Sequence, residues 1–438
     1  MNVNMRTKSY LPLAFLACSG FALEQPENDI LLEQKQDTPQ LHIGGHLSQS
    51  FLKTENNNHL HEDSMEGTFD MNEFALNVSG DLGKNVFLNS QLIARNAMED
   101  SGIDIDFANV DLHLNESTSL LIGKNKMPLG WFNQSLDSSH SNPFIVAPLG
   151  VYSPGFHETI VSAWGLGLDH SRALGKGYFL DAEMALGTSS IDSDSSFMRE
   201  SKFQEEHLAL STSQAVINAL GGPPTTVNRV SLQNYDAKVK QRLATRLVLR
   251  TPMNLKFGYS LGYDKVELDY QSHTTTTTLL TLAPGVTVPL TNTAVSSFNN
   301  EVKISPHHIF SMEYLISKNI KLTSEYRLFS LDFLMNGPGV TFNQTYKEKG
   351  YYVMLHYRPK DKLGLNYSFS QLDSELLTAQ GKREVDDHTL TVQYDLSEKW
   401  MLRMESHFMK GLAPFFYMNP TGTKDSTQVH LAQVAFIF

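Results

Sequence analysis

Three features predict that this 438-residue chain is all-β, a 16-stranded antiparallel transmembrane β-barrel. Apolar and polar residues alternate with a period of two up to the last residue, the period a strand imposes. Short turns alternate with long connections along the chain. After the N-terminus no window holds 18 apolar residues in a row, so no helix is expected to span a membrane. Hydrophobic residues make up 41% of the chain and mean hydropathy is negative. A barrel hides in such averages, because only every second residue of a strand meets lipid.

Residues 1–22 read as a secretory signal peptide: Arg6 and Lys8 give a basic start, Leu11 to Ala17 an apolar run, and Gly20-Phe21-Ala22 a small-x-small cleavage site. Cleavage after Ala22 removes Cys18, the single cysteine, and leaves a chain without thiols, disulfides or thiolate metal sites. An acylated Cys18 is the alternative, but Phe15 stands where such signals usually carry Leu. Losing Arg6 and Lys8 moves the formal charge from −12 to −14, which argues against nucleic acid as a partner.

Residues 23–40 form a polar lead-in, and residues 41–438 the barrel. The expected strands are Leu41 to Leu52, Thr68 to Ser79, Asn85 to Arg95, Ile103 to Leu114 and Thr118 to Lys126. Then come Thr159 to His170, Gly177 to Gly187, Gln233 to Leu249 and Leu255 to Tyr270. The last seven are His307 to Ser317, Ile320 to Leu331, Gly350 to Arg358, Leu363 to Gln371, Val385 to Asp395, Trp400 to Lys410 and Thr427 to Phe438. Turns such as Gly80 to Lys84, Lys318-Asn319 and Pro359 to Lys362 use residues that tolerate unusual backbone angles. The long connections are a polar loop Lys53 to Gly67, Met127 to Glu158, Thr188 to Ser231 with a candidate helix in Phe203 to Leu220, and a threonine-rich loop reaching Pro306. Tyr351, Tyr357, Tyr367, Tyr394, Trp400, Phe408 and Phe438 fall near strand ends on the apolar face, where aromatic girdles form.

If the apolar face meets lipid, the polar face lines a lumen. A basic ladder of Lys238, Lys240, Arg242, Arg246 and Arg250, followed by Lys256, then points inward, with Arg95, Arg327, Arg358 and Arg403 as further inward candidates. Two readings stand: the ladder attracts an anion, or it pairs with lumenal Asp111, Asp181, Glu183, Glu313 and Glu325. The connection from Met127 is too long and apolar for a surface loop, so Pro128, Trp131, Phe132 and Phe144 are expected to fold inward and narrow the pore. His59 and His61 are weak metal-ligand candidates, better read as part of a solvated loop, and His307-His308 is expected at the outer rim. No phosphate cradle, cysteine pair or nucleophile elbow occurs, so neither a cofactor nor an enzyme activity is expected.

The terminal strand, with Ala432, Val434, Phe436 and Phe438 on one face, resembles the closing strand of bacterial outer-membrane barrels. That resemblance implies the outer membrane of a Gram-negative cell, contact with its lipid, and Phe436 and Phe438 as an insertion signal read by the barrel-insertion machinery. The stretch Gly123-Lys124-Asn125-Lys126-Met127-Pro128-Leu129-Gly130-Trp131-Phe132 is similar to the third-loop region of the outer-membrane porin superfamily. It resembles phosphate-selective-type porins and LbtU-like siderophore porins, over about the first 150 residues. The resemblance implies a porin-like channel, for small polar solutes that are anionic, a ferric siderophore among them, and it leaves room for a homo-oligomer. Such siderophore receptors often carry a longer coiled-coil lead-in than Leu23 to Gln40 can supply. The alternatives are an adhesive surface protein, using the two largest loops, and a barrel hydrolase.

Overall fold

The computed structural model describes residues 40–438 except 98–99, 137, 139, 153–160, 192–197, 199–201, 203–205, 207–209, 211–212, 215–216, 220–224, 284–285, 338–339, 376–383 and 412–423. The expected signal peptide and nearly all of the lead-in lie outside the described residues.

Sixteen antiparallel strands close into one barrel in sequence order. They are β1 (Gln40–Glu55), β2 (Thr68–Gly83), β3 (Val86–Ala97), β4 (Asp100–Asn115), β5 (Thr118–Lys126), β6 (Ser162–Gly175), β7 (Tyr178–Ile191) and β8 (Thr225–Arg250). The second half is β9 (Leu255–Ala283), β10 (Val286–Ser317), β11 (Ile320–Gly337), β12 (Val340–Lys360), β13 (Leu363–Ser374), β14 (Glu384–Asp395), β15 (Trp400–Lys410) and β16 (Ser426–Ile437). β16 pairs with β1 from His46↔Ile437 to Glu55↔Gln428, so no edge is left along the membrane-crossing wall.

Alternation decides which face each residue takes. On β16 Thr427, Val429, Leu431, Gln433 and Ala435 are buried inside, while Ala432 and Val434 are exposed outside. Leu166, Leu247, Phe257, Tyr357, Leu390, Val392, Tyr394, Trp400 and Met404 continue the outer face, each more than a third exposed. A continuous apolar belt of this extent suits lipid, not water. The β6–β7 turn has both Lys176 and Gly177 at positive φ (51° and 81°), the backbone twist a two-residue hairpin needs.

Two expectations change. The threonine-rich loop is strand: β9 and β10 have 29 and 32 residues and pair as far as Ala283↔Val286. Threonine is β-branched and suits a sheet, and cross-strand pairs such as Thr277 with Thr291 (3.1 Å) bond hydroxyl to hydroxyl. About 10 residues cross a bilayer as a tilted strand, so β8 to β12 rise well above their neighbours. The loop after β1 is not solvated either. Asn57, His59 and His61 are buried, and the Asn57 amide donates to Lys424 O and Thr427 Oγ1 at 2.9 and 2.8 Å.

The tall wall inverts its polarity. Register irregularities on β8 between Val239 and Gln241, and on β10 between Ile304 and His307, add a residue and change which face alternate side chains take. Above them Ala237, Val239, Val266, Leu268, Val302 and Ile304 turn inward into a core with Tyr235, Tyr270 and Met198. In the candidate helical stretch, Glu206, Leu210, Ser213, Gln214 and Ile217 to Ala219 are helical, as are Met198 and Lys202 just before it.

Candidate functional site

The connection between β5 and β6 enters the barrel. Its neck closes where the Met127 N–H donates to Val161 O at 2.8 Å, and Gly130 (φ +62°) turns the chain inward in a conformation that favours glycine. A single 3-10 turn, Asn133–Ser135, follows. Met127, Leu129, Phe144, Val151 and Tyr152 pack on Ala163, Ala185, Ala244, Ile309, Tyr352 and Met354 of the wall. The small wall residues make room for the loop's larger ones. Glycines go further: a Cβ on Gly258 or Gly262 would stand 3.2 Å from Trp131 or 3.1 Å from Leu129, and one on Gly350 would meet Gly150 O at 2.0 Å.

Charged and hydroxyl side chains pin the loop's backbone to the wall. On one side the Glu325 carboxylate accepts four donors: Trp131 N–H (2.8 Å), Ser311 Oγ (2.6 Å), Tyr152 Oη (2.5 Å) and Tyr352 Oη (2.8 Å). Arg246 donates to Gly130 O at 2.6 Å, and Gly130 N–H donates to Ser260 Oγ at 3.1 Å. On the far side Arg403 donates to Asn142 O and Phe144 O at 2.7 and 2.8 Å, and Glu405 accepts the N–H groups of Ile145 and Val146. Arg327 donates to Val151 O at 3.1 Å, and Gly150 N–H donates to Ser370 Oγ at 2.7 Å. The loop's His140 ring lies 4.9 Å from that of His46 on β1. Burial, with His46 and Arg403 adding to it against Glu73, holds the His140 pKa down to about 4. The loop therefore crosses the lumen and is fixed at both margins, with Pro128 and Phe144 buried and Trp131 and Phe132 half-buried within it.

The expected ladder divides in two. Arg242, Arg246, Arg250 and Lys256 face inward, and each has a carboxylate at 2.7 Å: Asp264, Glu183, Asp181 and Glu313 respectively. Lys238 and Lys240 do not line the lumen. The irregularity at Val239/Gln241 turns them to the outer face above the apolar belt, where they meet Asp236 at 2.8 Å and Glu267 at 3.0 Å. Asp111 is buried inside and bonds His113 at 3.2 Å, and Glu325 serves the loop. Asp264, the partner of Arg242, was not among the expected acids.

Two inward places hold more groups of one sign than of the other. Asp169 is exposed to the lumen beside Glu183, its ladder partner, and has no ion-pair or hydrogen-bond partner among the described residues. Lys256 and Lys321 share the single carboxylate of Glu313, at 2.7 and 3.5 Å.

Of the other candidates, Arg327 and Arg403 are buried inward, Arg358 pairs with Asp395 beside the β12–β13 turn, and Arg95 stands opposite Glu73 in the β2–β3 ladder. His307 is not at the rim: it is buried against Phe329 within the wall, while His308 turns outward to Tyr259 Oη at 2.8 Å. His59 and His61 join no group of three metal-ligating side chains among the described residues. Phe436 and Phe438 lie on the outer face beside Trp400 and Phe74. Glu405, Ser260 and Ser370 were missed as loop anchors. The glycines Gly258, Gly262 and Gly350 mark where the loop comes close to β9 and β12, but they do not point to these three side chains.

Among known folds, the chain is similar to an anion-selective porin from Comamonas acidovorans, with 11% identity, 92% of this chain and 100% of that one covered, and a TM-score of 0.50. It is similar to OmpF of Salmonella typhi in complex with daunomycin (10% identity, 91% and 97% covered, TM-score 0.49). It is also similar to OmpT, an outer membrane protein of Vibrio cholerae (10%, 93% and 100%, TM-score 0.48). At these identities the likeness is one of fold. No family model and no curated protein matches the sequence.

Proposed function

We propose that this chain is an outer-membrane channel, exported by its N-terminal signal, that takes up small polar solutes through a lumen narrowed by the Met127 loop. The observation that carries this reading is the loop itself, its backbone held across a polar-lined, lipid-facing barrel by hydrogen bonds to side chains of five strands of the wall. A loop that only filled the barrel would need apolar packing alone. One pinned by charged side chains holds a fixed constriction, and on the same strands, nearer their short turns, Arg250, Lys256 and Lys321 keep contact with water, as does Asp169 on β6.

Planar-bilayer recording tests the channel: single-channel steps are expected, and a silent but folded barrel overturns the reading. The finer reading is an anionic solute, an iron chelate among them. Lys256 and Lys321 sharing Glu313 favour it, and unpaired Asp169 opposes it, while the paired arginines contribute little field of their own. Reversal potential in a salt gradient decides the sign, and cation preference rules the anionic reading out. Growth under iron limitation with candidate chelates separates siderophore uptake from general diffusion.

A further inference from the structure

β8, β9 and β10 rise together as a three-stranded sheet whose two edges are treated differently. Along β8 the side chains of the preceding helical stretch cap the backbone. Gln214 accepts Val227 N–H at 2.8 Å and donates to Thr225 O at 3.1 Å, and Glu206 accepts Leu232 N–H at 2.6 Å. Along β10 the pairing with β11 stops at Asn299↔Asn336. From Val286 to Phe298 the strand pairs with β9 alone, and among the described residues nothing covers its other side.

This bare edge also lacks the usual protection. From Ser272 to Asn300 there is no Asp, Glu, Lys or Arg, whereas exposed edges are normally blunted by charge, bulges or cover. Pro289 is the one residue there that limits pairing. Val288, Leu290 and Val295 are 42, 56 and 56% exposed.

We propose that this edge pairs antiparallel with the same edge of a second copy of this chain inserted in a facing membrane, so that the protein joins membranes as well as crossing one. The inference rests on the channel reading only for the side of the membrane on which the sheet stands. Three observations favour a second copy as the occupant. Aligned about Asn292, Thr291 faces Thr293, Leu290 faces Ala294 and Val288 faces Ser296, with no charge opposed. The exported chain carries a formal charge of −14, and the uncharged hairpin is a place where two copies can meet without opposing like charges. A two-fold axis across antiparallel strands also reverses the two barrels, which places them in opposed membranes; copies in one membrane point the same way.

The free stretch of about 13 residues spans roughly 40 Å, enough to stand clear of the rim. One edge contact buries well under the roughly 1,200 Å² of a stable interface, so each pairing is weak. Many copies on facing surfaces bind cooperatively through effective concentration.

The test uses full-length protein in liposomes, followed by light scattering. Wild-type vesicles are expected to cluster. Two double variants, Thr291→Lys with Thr293→Lys and Thr291→Glu with Thr293→Glu, put like charges opposite each other, so each alone should cluster at least tenfold more slowly. Mixing Lys and Glu vesicles should restore clustering, an outcome a misfolded barrel cannot give. Unchanged clustering of either variant alone, no rescue on mixing, or dispersed wild-type vesicles that conduct normally would overturn the proposal. Clustering without conductance would instead remove the channel reading and leave this one standing.

Discussion

The Glu405 carboxylate on β15 accepts the backbone N–H of Val146 at 2.8 Å, fastening the far margin of the inward loop to the wall. Its other oxygen accepts the Ile145 N–H at the same distance. Glu405→Ala leaves two inward amides without partners, each costing about 1–3 kcal/mol if buried. The barrel's own ladders are untouched. The expected result is a heat-modifiable barrel with larger and noisier single-channel steps, read in planar bilayers; steps identical to wild type would show that Glu405 does not hold the loop.

Gly350 gives a steric test of the same seat. An added Cβ would lie 2.0 Å from Gly150 O, a backbone atom that cannot move alone. Gly350→Ala should therefore push the loop off β12 at about 1–3 kcal/mol, as overpacking does, and raise conductance. Gly364→Ala on the adjacent strand, whose nearest neighbour would be His356 Cε1 at 3.5 Å, is the control and should conduct like wild type.

The contrast between these two glycines shows what can be read from sequence. Period-two alternation located all sixteen strands, because lipid outside and water inside act on every second residue. β5 and β15 came out with their full bounds, Thr118–Lys126 and Trp400–Lys410. Alternation failed where one extra residue reset it. At Val239/Gln241 nothing in the run Lys238-Val239-Lys240 announces a bulge, so two lysines were placed on the wrong face. The Thr274 to Thr278 run looked like loop by composition, although β-branching equally suits a sheet. Loop anchoring was invisible for another reason: Glu405 lies 259 residues from Val146, and only closure of the barrel brings them together.

Acid should loosen the loop tip. His140, with His46, Glu73 and Arg403 around it, has its pKa lowered from 6.5 to about 4. A histidine depressed in the folded state stabilises it above the unfolded pKa of 6.5, and that contribution fades as pH falls toward 4. The full effect is on the order of 3 kcal/mol for the seated tip. Current fluctuations should therefore grow between pH 6.5 and 4 in wild type and depend less on pH in His140→Gln. Equal pH dependence in the two proteins would remove His140 as the cause.

The last residue extends the seam that closes the barrel. Phe438 N–H donates to Gly45 O at 3.0 Å and Gly45 N–H donates to Phe438 O at 3.1 Å, so the terminal residue seals β16 to β1. Gly45 is shaped for this: a Cβ there would stand 2.8 Å from the Phe438 ring and 2.1 Å from Ala75 O. The ring stacks at 6.1 Å on both Phe74 and Phe436 on the outer face. Deleting Phe438 removes two ladder bonds at the seam and the aromatic end that the insertion machinery is expected to read. Export should continue while the heat-modifiable barrel in the outer membrane falls sharply. Refolding the same variant in detergent separates the two causes. Normal refolding assigns the loss to recognition by the machinery, and slow or incomplete refolding assigns it to the Gly45 seam. Normal amounts of membrane-inserted barrel in cells would show that neither matters.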